Sequence, residues 1–483
     1  MVNRTARRGR AALLSLMLMT SACASVPNLG PKPMPHAAGD YAASQSLTGN
    51  AAEWPADGWW KAYDDAQLNQ LIGEGLAGSP DLAAAAARLR TAQGLAQAAG
   101  AKLLPSIDAN ASVSELNPSN NAGLPVWSGF KESGNAGLTL NFDLDLWGKN
   151  RAALRAAKKD AEAARFEVDE ARLMLTTGIA STYANLAALY AQRDSLEKAL
   201  EIRTKTLELV KQRVEIGLDN DSVLRLAEAR IPQTKADLAA TDEAIMLDKH
   251  ALAALTGQGP DRGLTIGRPK PGTLQAQSLP ANAPIDLVGR RPDIAAARTR
   301  AEAAADRIKV ARADFYPNIS ISGLLGLSSL GLGNFFQAGS LTAGVTPAVS
   351  LPLFHGGALQ GQYRGRRGQY DEAVAMYDGQ VLQALRETAD TVTSRQALVD
   401  RLAQSRSALV SYDKALELAR LRYEQGLSTY LDVLTAQESV VNARLVVAQL
   451  ETRAFTLDVQ LVRALGGGFA TATTQGPGGF HAG

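Results

Sequence analysis

The stretch LTLNFDLDLWGKN, from Leu138 to Asn150, alternates apolar and polar residues over its first nine positions. Because successive side chains of a β-strand point to opposite faces, this pattern predicts a strand with one apolar face and one polar face that carries Asp143 and Asp145. The half-buried sheet of a soluble domain has such strands, and so does a membrane β-barrel, whose apolar face meets lipid. Evidence from the rest of the chain is therefore needed to distinguish a soluble sheet from a membrane β-barrel.

The chain contains each of its main motifs twice. The pairs are LLPSI from Leu103 and FYPNI from Phe315, LDLWG from Leu144 and LPLFHGG from Leu351, RVEIGL from Arg213 and RYEQGL from Arg422, and ALTG from Ala254 and ALGG from Ala464. Their separations are 212, 207, 209 and 210 residues, and so constant a spacing indicates an internal two-fold sequence repeat. We predict a first repeat at 53–257, a Pro/Gly-rich linker at 258–283, a second repeat at 284–465 and a Gly-rich tail at 466–483.

Each repeat is predicted to contain a pair of strands followed by two long helices. The strand pairs are expected at 106–146 and 318–353, and the second pair contains Pro347, which must lie at a bulge or an unpaired position. Runs rich in Ala, Leu, Glu, Lys and Arg predict four helices, at 149–216, 222–255, 359–425 and 429–465. The second of these helices is expected to be broken by Pro232. Helices this long are typical of coiled coils and bundles rather than of compact domains.

The first residues have the layout of a secretory signal peptide. Residues 1–22 contain four arginines, a short apolar run and small residues, and the single cysteine of the chain, Cys23, ends the sequence TSAC. This sequence resembles a bacterial lipobox, in which the cysteine is acylated and becomes the mature N-terminus, and Ala24 after it implies an outer-membrane destination. The alternative is an ordinary signal cleaved near a chance cysteine. Residues 23–52, rich in Pro, Gly, Ser and Ala, are predicted to be an acylated tether.

Composition and residue spacing argue against several classes of function. Without the four arginines of the signal peptide, 46 of the 50 basic residues remain against 48 acidic ones, so a nucleic-acid partner has no electrostatic support. The histidines have no metal-ligand spacing, and no phosphate-binding loop or nucleophile elbow is present. The histidines are His36, His250, His355 and His481. We therefore expect no enzyme, no catalytic residue, no metal and no cofactor apart from covalent lipid on Cys23.

Four alternating strands on an exported, lipid-anchored chain favour a membrane β-barrel over a soluble sheet. Four strands cannot close a barrel, however, since bacterial barrels begin at about eight strands. Unpaired backbone groups at an open edge would cost several kcal/mol each in lipid. Several subunits must therefore share one barrel.

The repeated layout and six sequence segments resemble the outer-membrane factor family of TolC-like exit ducts, and above all its lipoprotein branch. The segments are LLPSI, FYPNI, DLWGKNR, GRRPDIAAAR, RYEQGLSTYLDVLTAQ and ALGGG. The resemblance covers about residues 54–468. It implies an α+β membrane protein, a homotrimer in which each chain gives four strands to a 12-stranded transmembrane β-barrel. A long α-helical coiled-coil tunnel would continue this barrel across the periplasm of a Gram-negative bacterium.

The same resemblance implies a function without chemistry. The duct would passively conduct small molecules such as drugs to the cell exterior, as the outer-membrane part of a tripartite efflux pump. Its partners would be a periplasmic adaptor, an inner-membrane transporter of the RND type and outer-membrane lipid. Two alternatives stay open: an outer-membrane duct of type I protein secretion, which shares this architecture, and a structural periplasmic coiled-coil lipoprotein without a pore.

The resemblance also assigns roles to residues at the helix ends. Gly217 and Gly426 are expected at periplasmic hairpin turns that contact the adaptor, and Asp432 and Tyr423 at the periplasmic gate. Threefold symmetry would gather three Asp432 carboxylates around the axis, where they repel one another and attract cations. The alternative is a solvated aspartate that favours the helix dipole. Three gate positions depart from the family pattern and hold Val223, Ser428 and Thr435.

Four aromatic residues and one arginine-rich segment are predicted to have structural roles. Trp147 and Phe354, at the ends of the two strand pairs, are expected at the membrane interface, with core packing as the alternative. The segment GRRPD, Gly289 to Asp293, is interpreted as a helix start rather than a catalytic loop, because proline and aspartate suit a first turn. Trp59 and Trp60 are expected to pack in a belt around the middle of the tunnel.

Overall fold

The computed structural model describes residues 26–43, 45–47, 53–117, 130–270, 287 and 289–470. The predicted signal peptide, Cys23 and most of the predicted tail lie outside these residues. The chain divides into two compact units. The first, here the sheet unit, comprises Met1–Pro35, Arg88–Arg165 and Ala296–Tyr377, and the second, here the helical unit, comprises His36–Ala87, Phe166–Ala295 and Asp378–Gly483. None of the helices in the described ranges combines the length and the hydropathy needed to cross a bilayer.

The sheet unit contains one antiparallel sheet of four strands in the order β1-β2-β3-β4. The strands are β1 (Ser106–Leu116), β2 (Lys131–Asp143), β3 (Asn318–Leu330) and β4 (Leu341–Ser350). The strand pairs of the two repeats meet where β2 pairs with β3, so that Leu138 lies opposite Ala109 on one side and Leu325 on the other. The two outer strands, β1 and β4, form the edges of the sheet within the chain.

The register places the predicted apolar residues of all four strands on one face. Directly opposite residues of antiparallel strands share a face, and the pairs Ile107 with Leu140 and Gly323 with Val345 follow this rule. Many large side chains of this face are exposed, from 47% for Leu138 to 75% for Val345, while others such as Phe142 are half-buried. An apolar sheet face that is exposed over much of its area is the surface that a lipid environment would cover.

The opposite face of the sheet is mainly polar. Its side chains form hydrogen bonds across the strands, from Ser328 Oγ to Asn135 Oδ1 at 2.7 Å and from Ser322 Oγ to Asn141 Oδ1 at 3.2 Å. The sheet therefore has the apolar and polar faces that the alternation of LTLNFDLDLWGKN predicts.

Both strand pairs end before the predicted positions. β2 ends at Asp143 because Asp145 turns the chain, with φ 45°, and accepts hydrogen bonds from the backbone N–H groups of Asn150 (2.8 Å) and Arg151 (3.0 Å) at the start of the next helix. β4 ends at Ser350, ahead of Pro352, which has no N–H group to donate to a sheet. In both strand pairs, the alternation of apolar and polar residues in the sequence therefore continues beyond the last residues that belong to the sheet.

Pro347 lies in β4 directly opposite Ile321, in an uninterrupted register. The predicted alternative of a bulge is therefore wrong. Because β4 is an edge strand of this sheet, a residue without an N–H group is accommodated there.

Eight helices are named in the order of the chain. They are α1 (Ala66–Gly78), α2 (Pro80–Ala101), α3 (Lys149–Glu215), α4 (Asp221–Leu255), α5 (Asp261–Leu264), α6 (Pro292–Ala313), α7 (Ala358–Glu424) and α8 (Tyr430–Ala464). The four long ones, α3, α4, α7 and α8, begin and end within one residue of the predicted positions. Pro232 does not break α4, contrary to the prediction. Its ring is exposed, and at an exposed position water can replace the one helical hydrogen bond that a proline removes.

The core of the helical unit surrounds Tyr183, which is fully buried with Leu68 and Ile72 of α1. Trp59 and Trp60 belong to this core, and their rings meet edge to face with centroids 5.7 Å apart. Both tryptophans therefore pack in the interior of their unit, and their place in a belt around the tunnel stays a prediction.

Two segments predicted as linker and tail are partly folded into the helical unit. In the described part of the linker, Arg262 pairs with Glu74 at 2.9 Å and Ile266 is buried. At the start of the predicted tail, Gly466 has φ 87°, and a Cβ atom there would lie 1.8 Å from the carbonyl oxygen of Arg290. Only glycine fits this close backbone contact, so the glycines after α8 are packing residues.

The segment GRRPD starts α6, as predicted, with Pro292 first and Asp293 in the first turn. The guanidinium of Arg291 is buried and donates to Asp293 Oδ2 at 2.8 Å, to Glu387 Oε2 at 2.9 Å and to the carbonyl oxygen of Ala464 at 3.3 Å. Burial alone would lower the pKa of Arg291, but the two carboxylates raise it above its usual value. The segment thus holds a buried charge pair inside the helical unit.

Glu170 of α3 interacts electrostatically with Arg291 and with its partners Asp293 and Glu387. Burial is the main cause that raises the pKa of its carboxyl to about 7, well above the usual value of a glutamate. Asp293 and Glu387 contribute to this rise, while Arg291 and Arg463 oppose it. An acid whose pKa is raised by folding binds its proton more tightly in the folded state. The stability of the fold therefore decreases as the pH rises from about 4.5 to about 7 and levels off above that.

We expect Glu170→Gln to increase the free energy of unfolding at about pH 8 by on the order of 1–3 kcal/mol and to leave it nearly unchanged at about pH 4.5. The glutamine cannot ionise, so the cost of a buried carboxylate at high pH disappears. Urea unfolding at a series of pH values measures the difference. The exposed Glu208 of the same helix provides the control, since Glu208→Gln should show no such dependence. An equal gain at both pH values would contradict the assignment to Glu170.

Candidate functional site at the hairpin ends

The long helices are joined in pairs by two turns of the same geometry. Gly217, after α3, has φ 77°, and Gly426, after α7, has φ 75°. At the first turn the N–H of Gly217 donates to Val214 O at 3.0 Å and the N–H of Leu218 donates to Arg213 O at 2.8 Å. The same two bonds recur one repeat later at Gly426. This helix ending requires a left-handed residue, which only glycine adopts readily. Both glycines therefore lie at hairpin turns, where the sequence predicts them.

The helices that follow the turns begin with different caps. The side chain of Asn220 accepts from the N–H of Val223 at the start of α4 (3.2 Å). At the start of α8, Asp432 Oδ2 accepts from the N–H of Thr429 at 2.9 Å and from its hydroxyl at 2.8 Å. The side chain of Thr429 in turn accepts from the N–H of Asp432, which completes a capping box. The backbone hydrogen bond from Thr429 is the main reason why the pKa of Asp432 lies below its usual value. Asp432 is thus an exposed, ionised carboxylate at a helix start.

A buried cluster of three residues joins the two hairpins. Arg213 Nε donates to Asp219 Oδ2 at 2.7 Å, and Arg213 Nη1 donates to the carbonyl oxygen of Tyr423 at 2.9 Å. The hydroxyl of Tyr423 donates to the same oxygen of Asp219, and the guanidinium lies over the tyrosine ring, 4.4 Å from its centroid. Arg213 and Asp219 come from the first repeat and Tyr423 from the second, so this tip cluster holds one hairpin against the other.

Burial and neighbouring charges together determine the protonation states of the tip cluster. Burial is the main cause that raises the pKa of Tyr423 above its usual value, and the hydrogen bond to Asp219 adds to it. The hydrogen bond with Asp219 is the main cause that raises the pKa of Arg213. At neutral pH the tyrosine therefore keeps its proton and the arginine its charge. The surrounding apolar side chains exclude water and strengthen these bonds; they include Val210, Ala227, Tyr430, Val433 and Leu434.

The structure supplies an acidic partner that the sequence analysis did not identify. The family pattern directs attention to Val223 of the first repeat, which is apolar. The carboxylate comes instead from Asp219, in the turn itself, which lies one repeat before Ser428. The signal in the sequence is the segment GLDN, whose counterpart is GLST. Tyr423 bonds across the two hairpins in this way, whereas the hydrogen bonds of Asp432 stay within its own helix start.

Large apolar side chains are exposed around both turns. Ile216 and Leu218 of the first turn are 70% and 59% exposed, and Leu427 and Leu431 of the second are 66% and 65% exposed. Apolar side chains that are grouped at the end of a hairpin and left exposed by the described residues are typical of a surface that meets another protein.

The two strand-end aromatics are exposed rather than packed in a core, which excludes the core alternative. The indole N–H of Trp147 donates to Pro317 O at 2.7 Å, and its ring stacks on Tyr316 with centroids 4.8 Å apart. Phe354 is 80% exposed. Cys23 lies outside the described residues. Among the residues that the structure describes, no group of His, Cys, Asp or Glu is arranged to hold a metal ion.

Comparison with known proteins gives concordant matches over most of the chain. The family profile described as outer membrane efflux protein matches residues 71–258 and again residues 284–467. The fusaric acid resistance protein FusA of Burkholderia cepacia is 35% identical over 370 residues, which are 73% of this chain and 68% of that protein. The multidrug resistance outer membrane protein MdtP of Escherichia coli (strain CFT073) is 30% identical over 431 residues, 87% of this chain and 88% of that protein.

Among solved structures, the outer membrane protein VceC of Vibrio cholerae resembles this chain with a TM-score of 0.83 at 44% identity, over 86% of this chain and 100% of that one. The two profile matches correspond to the two sequence repeats, which confirms the internal duplication. The four strands and the long helices of the chain make up the TolC-like fold. The chain therefore belongs to the outer membrane efflux protein family, and it is a non-enzymatic efflux channel of the outer membrane that extends into the periplasm.

Proposed function

We propose that this channel is the exit duct of an RND-type tripartite pump and that three copies of the chain share one 12-stranded barrel. The observation that carries the proposal is the open four-stranded sheet with an exposed apolar face. In lipid, the unpaired backbone groups of β1 and β4 would cost several kcal/mol each. Pairing β4 of one copy with β1 of the next removes both edges, and three copies reach a strand number at which barrels close.

A lipid anchor and interfacial aromatics would fix the depth of the barrel. We propose that Cys23 is acylated and that its acyl chains enter the same membrane as the strands. Trp147 and Phe354, exposed where the strands give way to helices, would lie at the headgroup level on the periplasmic side. Their half-exposed or exposed rings support this placement, since an interfacial aromatic needs one apolar side in lipid.

The hairpin ends are proposed as the contact with the periplasmic adaptor. Gly217 and Gly426 shape the two turns, and the exposed apolar side chains Ile216, Leu218 and Leu427 supply an apolar surface there. An adaptor with complementary apolar residues would bury this surface. Its engagement could then separate the hairpins that Tyr423 holds together and open the gate.

Asp432 is proposed to line the gate as well as to cap α8. Its carboxylate is exposed and ionised in the single chain. Three copies around an axis would make a ring of negative charge that favours cations. The capping role and the gating role are separable, because an asparagine retains an oxygen acceptor for the cap but carries no charge.

The expected result for Asp432→Asn in a planar bilayer is a conductance with reduced cation selectivity and unchanged helix stability. Asp432→Ala should show the same loss of selectivity together with a less stable hairpin, since it removes the cap. Ion selectivity from reversal potentials, and unfolding by circular dichroism, measure the two effects separately.

The matched control is Asp221→Asn, which removes one exposed acid from the first turn of α4 in the other hairpin. It should leave cation selectivity unchanged. If both Asp432 variants keep the selectivity of the original channel, Asp432 is a cap and not a gate, while the duct remains. A monomeric, water-soluble particle without conductance would contradict the trimeric duct itself.

Small organic molecules are the proposed cargo class. FusA is named for resistance to fusaric acid and MdtP for resistance to multiple drugs, and both match this chain over two thirds of their length or more. These likenesses favour the pump over the alternative of type I protein secretion. Comparing the growth of a deletion strain and a complemented strain on a panel of drugs would identify the cargo.

A further inference from the structure

Four basic residues of the sheet unit come from α6, α7 and the N-terminal segment, where Ile308 of α6 and Tyr370 of α7 belong to one buried cluster that brings the two helices together. They are Lys32, Lys309, Arg312 and Arg367, and we call them the basic cluster. Lys309 and Arg312 lie in the last turns of α6, which leads directly into β3 at Asn318. Arg367 lies near the start of α7, which follows β4. Lys32 comes from the N-terminal segment 26–35, here called the strap.

The strap is held on α7 by specific hydrogen bonds. Arg367 donates to the carbonyl oxygens of Gly30 (3.3 Å) and Pro31, and the hydroxyl of Tyr370 donates to that of Pro33 at 2.9 Å. These bonds fix the backbone on both sides of Lys32. The position of Lys32 next to the other cations is therefore built into the fold and does not depend on a freely moving terminus.

The charges of the basic cluster are only partly balanced. Asp306 pairs with Lys309 and with Arg155, both at 3.3 Å, and Asp371 pairs with Arg367 at 2.8 Å. Within the described ranges, no carboxylate lies in ion-pair distance of Lys32 or Arg312. Burial, and then repulsion by Lys309, Arg367 and Arg312, lowers the pKa of Lys32, whereas Asp306 opposes the shift. An anion placed among these side chains would relieve that repulsion.

The position of the basic cluster suggests which anion binds. With a rise of 1.5 Å per residue, Lys309 lies roughly 6 Å from the end of α6 at Ala313, and Arg367 roughly 14 Å from the start of α7 at Ala358. Each headgroup layer of a bilayer is roughly 5–8 Å thick. If the strands span the hydrocarbon, the flexible side chains of Lys309 and Arg312 at the end of α6 reach the headgroups, whereas Arg367 lies deeper in α7 and holds the strap. The helix dipole accounts for cations at the end of α6, but not for Lys32, which the strap brings there.

We propose that Lys32, Lys309 and Arg312 bind the headgroup of an anionic phospholipid in the leaflet at the helical ends of the strands, and that Arg367 positions the strap for this contact. The inference rests on the outer-membrane placement of the channel and on the proposed barrel. It adds a specific lipid partner, recognised by its phosphate and net negative charge, on the outer surface that carries the strap. An acyl anchor on Cys23 would enter the same leaflet and hold the strap beside it.

The test uses the purified full-length channel in detergent, titrated with phosphatidylglycerol or phosphatidylcholine and followed by native mass spectrometry. Each basic residue near an anionic surface strengthens binding by roughly fivefold. Three such residues together would contribute roughly 100-fold, so we expect phosphatidylglycerol to bind on the order of 100-fold more tightly than phosphatidylcholine. The double variant Lys32→Gln/Arg312→Gln should lose most of this preference. Free glycerol phosphate should bind much more weakly than the lipid, because it lacks the acyl chains that lie against the strands.

The matched control is Lys211→Gln/Lys235→Gln, which removes the same charge from exposed positions of α3 and α4 in the helical unit. It should keep the preference. Equal binding of the two lipids by the original channel, or a preference that survives Lys32→Gln/Arg312→Gln, would overturn the site. Glycerol phosphate that binds as tightly as the lipid would replace a lipid partner by free phosphate and would also overturn it. The conductance of the double variant separates this site from the duct, since a channel that conducts without lipid preference retains the proposed function.

Discussion

Arg291→Met is expected to lower the free energy of unfolding by about 3–5 kcal/mol, the largest effect on stability that we expect from one side chain. Methionine fills a similar volume but leaves the carboxylates of Asp293 and Glu387 without their buried partner. It also removes the donor for the carbonyl oxygen of Ala464, at the end of α8. Guanidinium unfolding followed by circular dichroism, at equal protein concentration for both proteins, measures the change.

Two further variants test the cause of this loss. Arg406→Met removes the same side chain from an exposed pair with Glu451, where a cost of no more than about 1 kcal/mol is expected. Adding Glu387→Gln to Arg291→Met should recover part of the stability, because one of the two unpaired charges is removed. If Arg291→Met costs no more than Arg406→Met, the buried pair does not stabilise the helical unit.

Tyr423→Phe is expected to increase the open fraction of the channel about 10- to 100-fold. The phenylalanine keeps the packing but loses the hydrogen bond from the hydroxyl to Asp219, and a hydrogen bond to a charged partner contributes about 1.5–3 kcal/mol. Asp219→Asn should have a larger effect, because it also removes the ionic partner of Arg213. Open probability in single-channel recordings is the measurement, and cells that carry an opened channel should admit large antibiotics.

Tyr430→Phe is the matched control for this effect. Tyr430 lies in the same apolar cluster and is buried, but no hydrogen bond of its hydroxyl is found among the described residues. The channel should therefore stay closed in that variant. Equal open fractions for Tyr423→Phe and Tyr430→Phe would show that the hydrogen bond between the hairpins does not restrain opening.

Much of the fold could be predicted from local patterns in the sequence. The alternation around Leu138 predicted the two faces of the sheet, because a strand has a period of two whatever surrounds it. The long runs rich in Ala, Leu, Glu, Lys and Arg predicted the ends of α3, α4, α7 and α8 within one residue, since glycines such as Gly217 and Gly426 stop a helix by backbone conformation alone. The end of β2 was not predicted, because Asp145 turns the chain and caps the start of α3 although the apolar and polar residues still alternate there.

By itself, the sequence determined the duplicated plan, the strands and their two faces, the helix spans and the hairpin turns, all of which depend on residues close together in the chain. Only the tertiary structure decided that Asp219 is the partner of Tyr423, since the two lie 204 residues apart and meet only when the hairpins pack. It also decided that Gly466, just after α8, packs against Arg290 and that the strap places Lys32 near the cations at the end of α6. Composition and spacing describe the local backbone, whereas contacts between distant segments depend on how the helices and strands assemble.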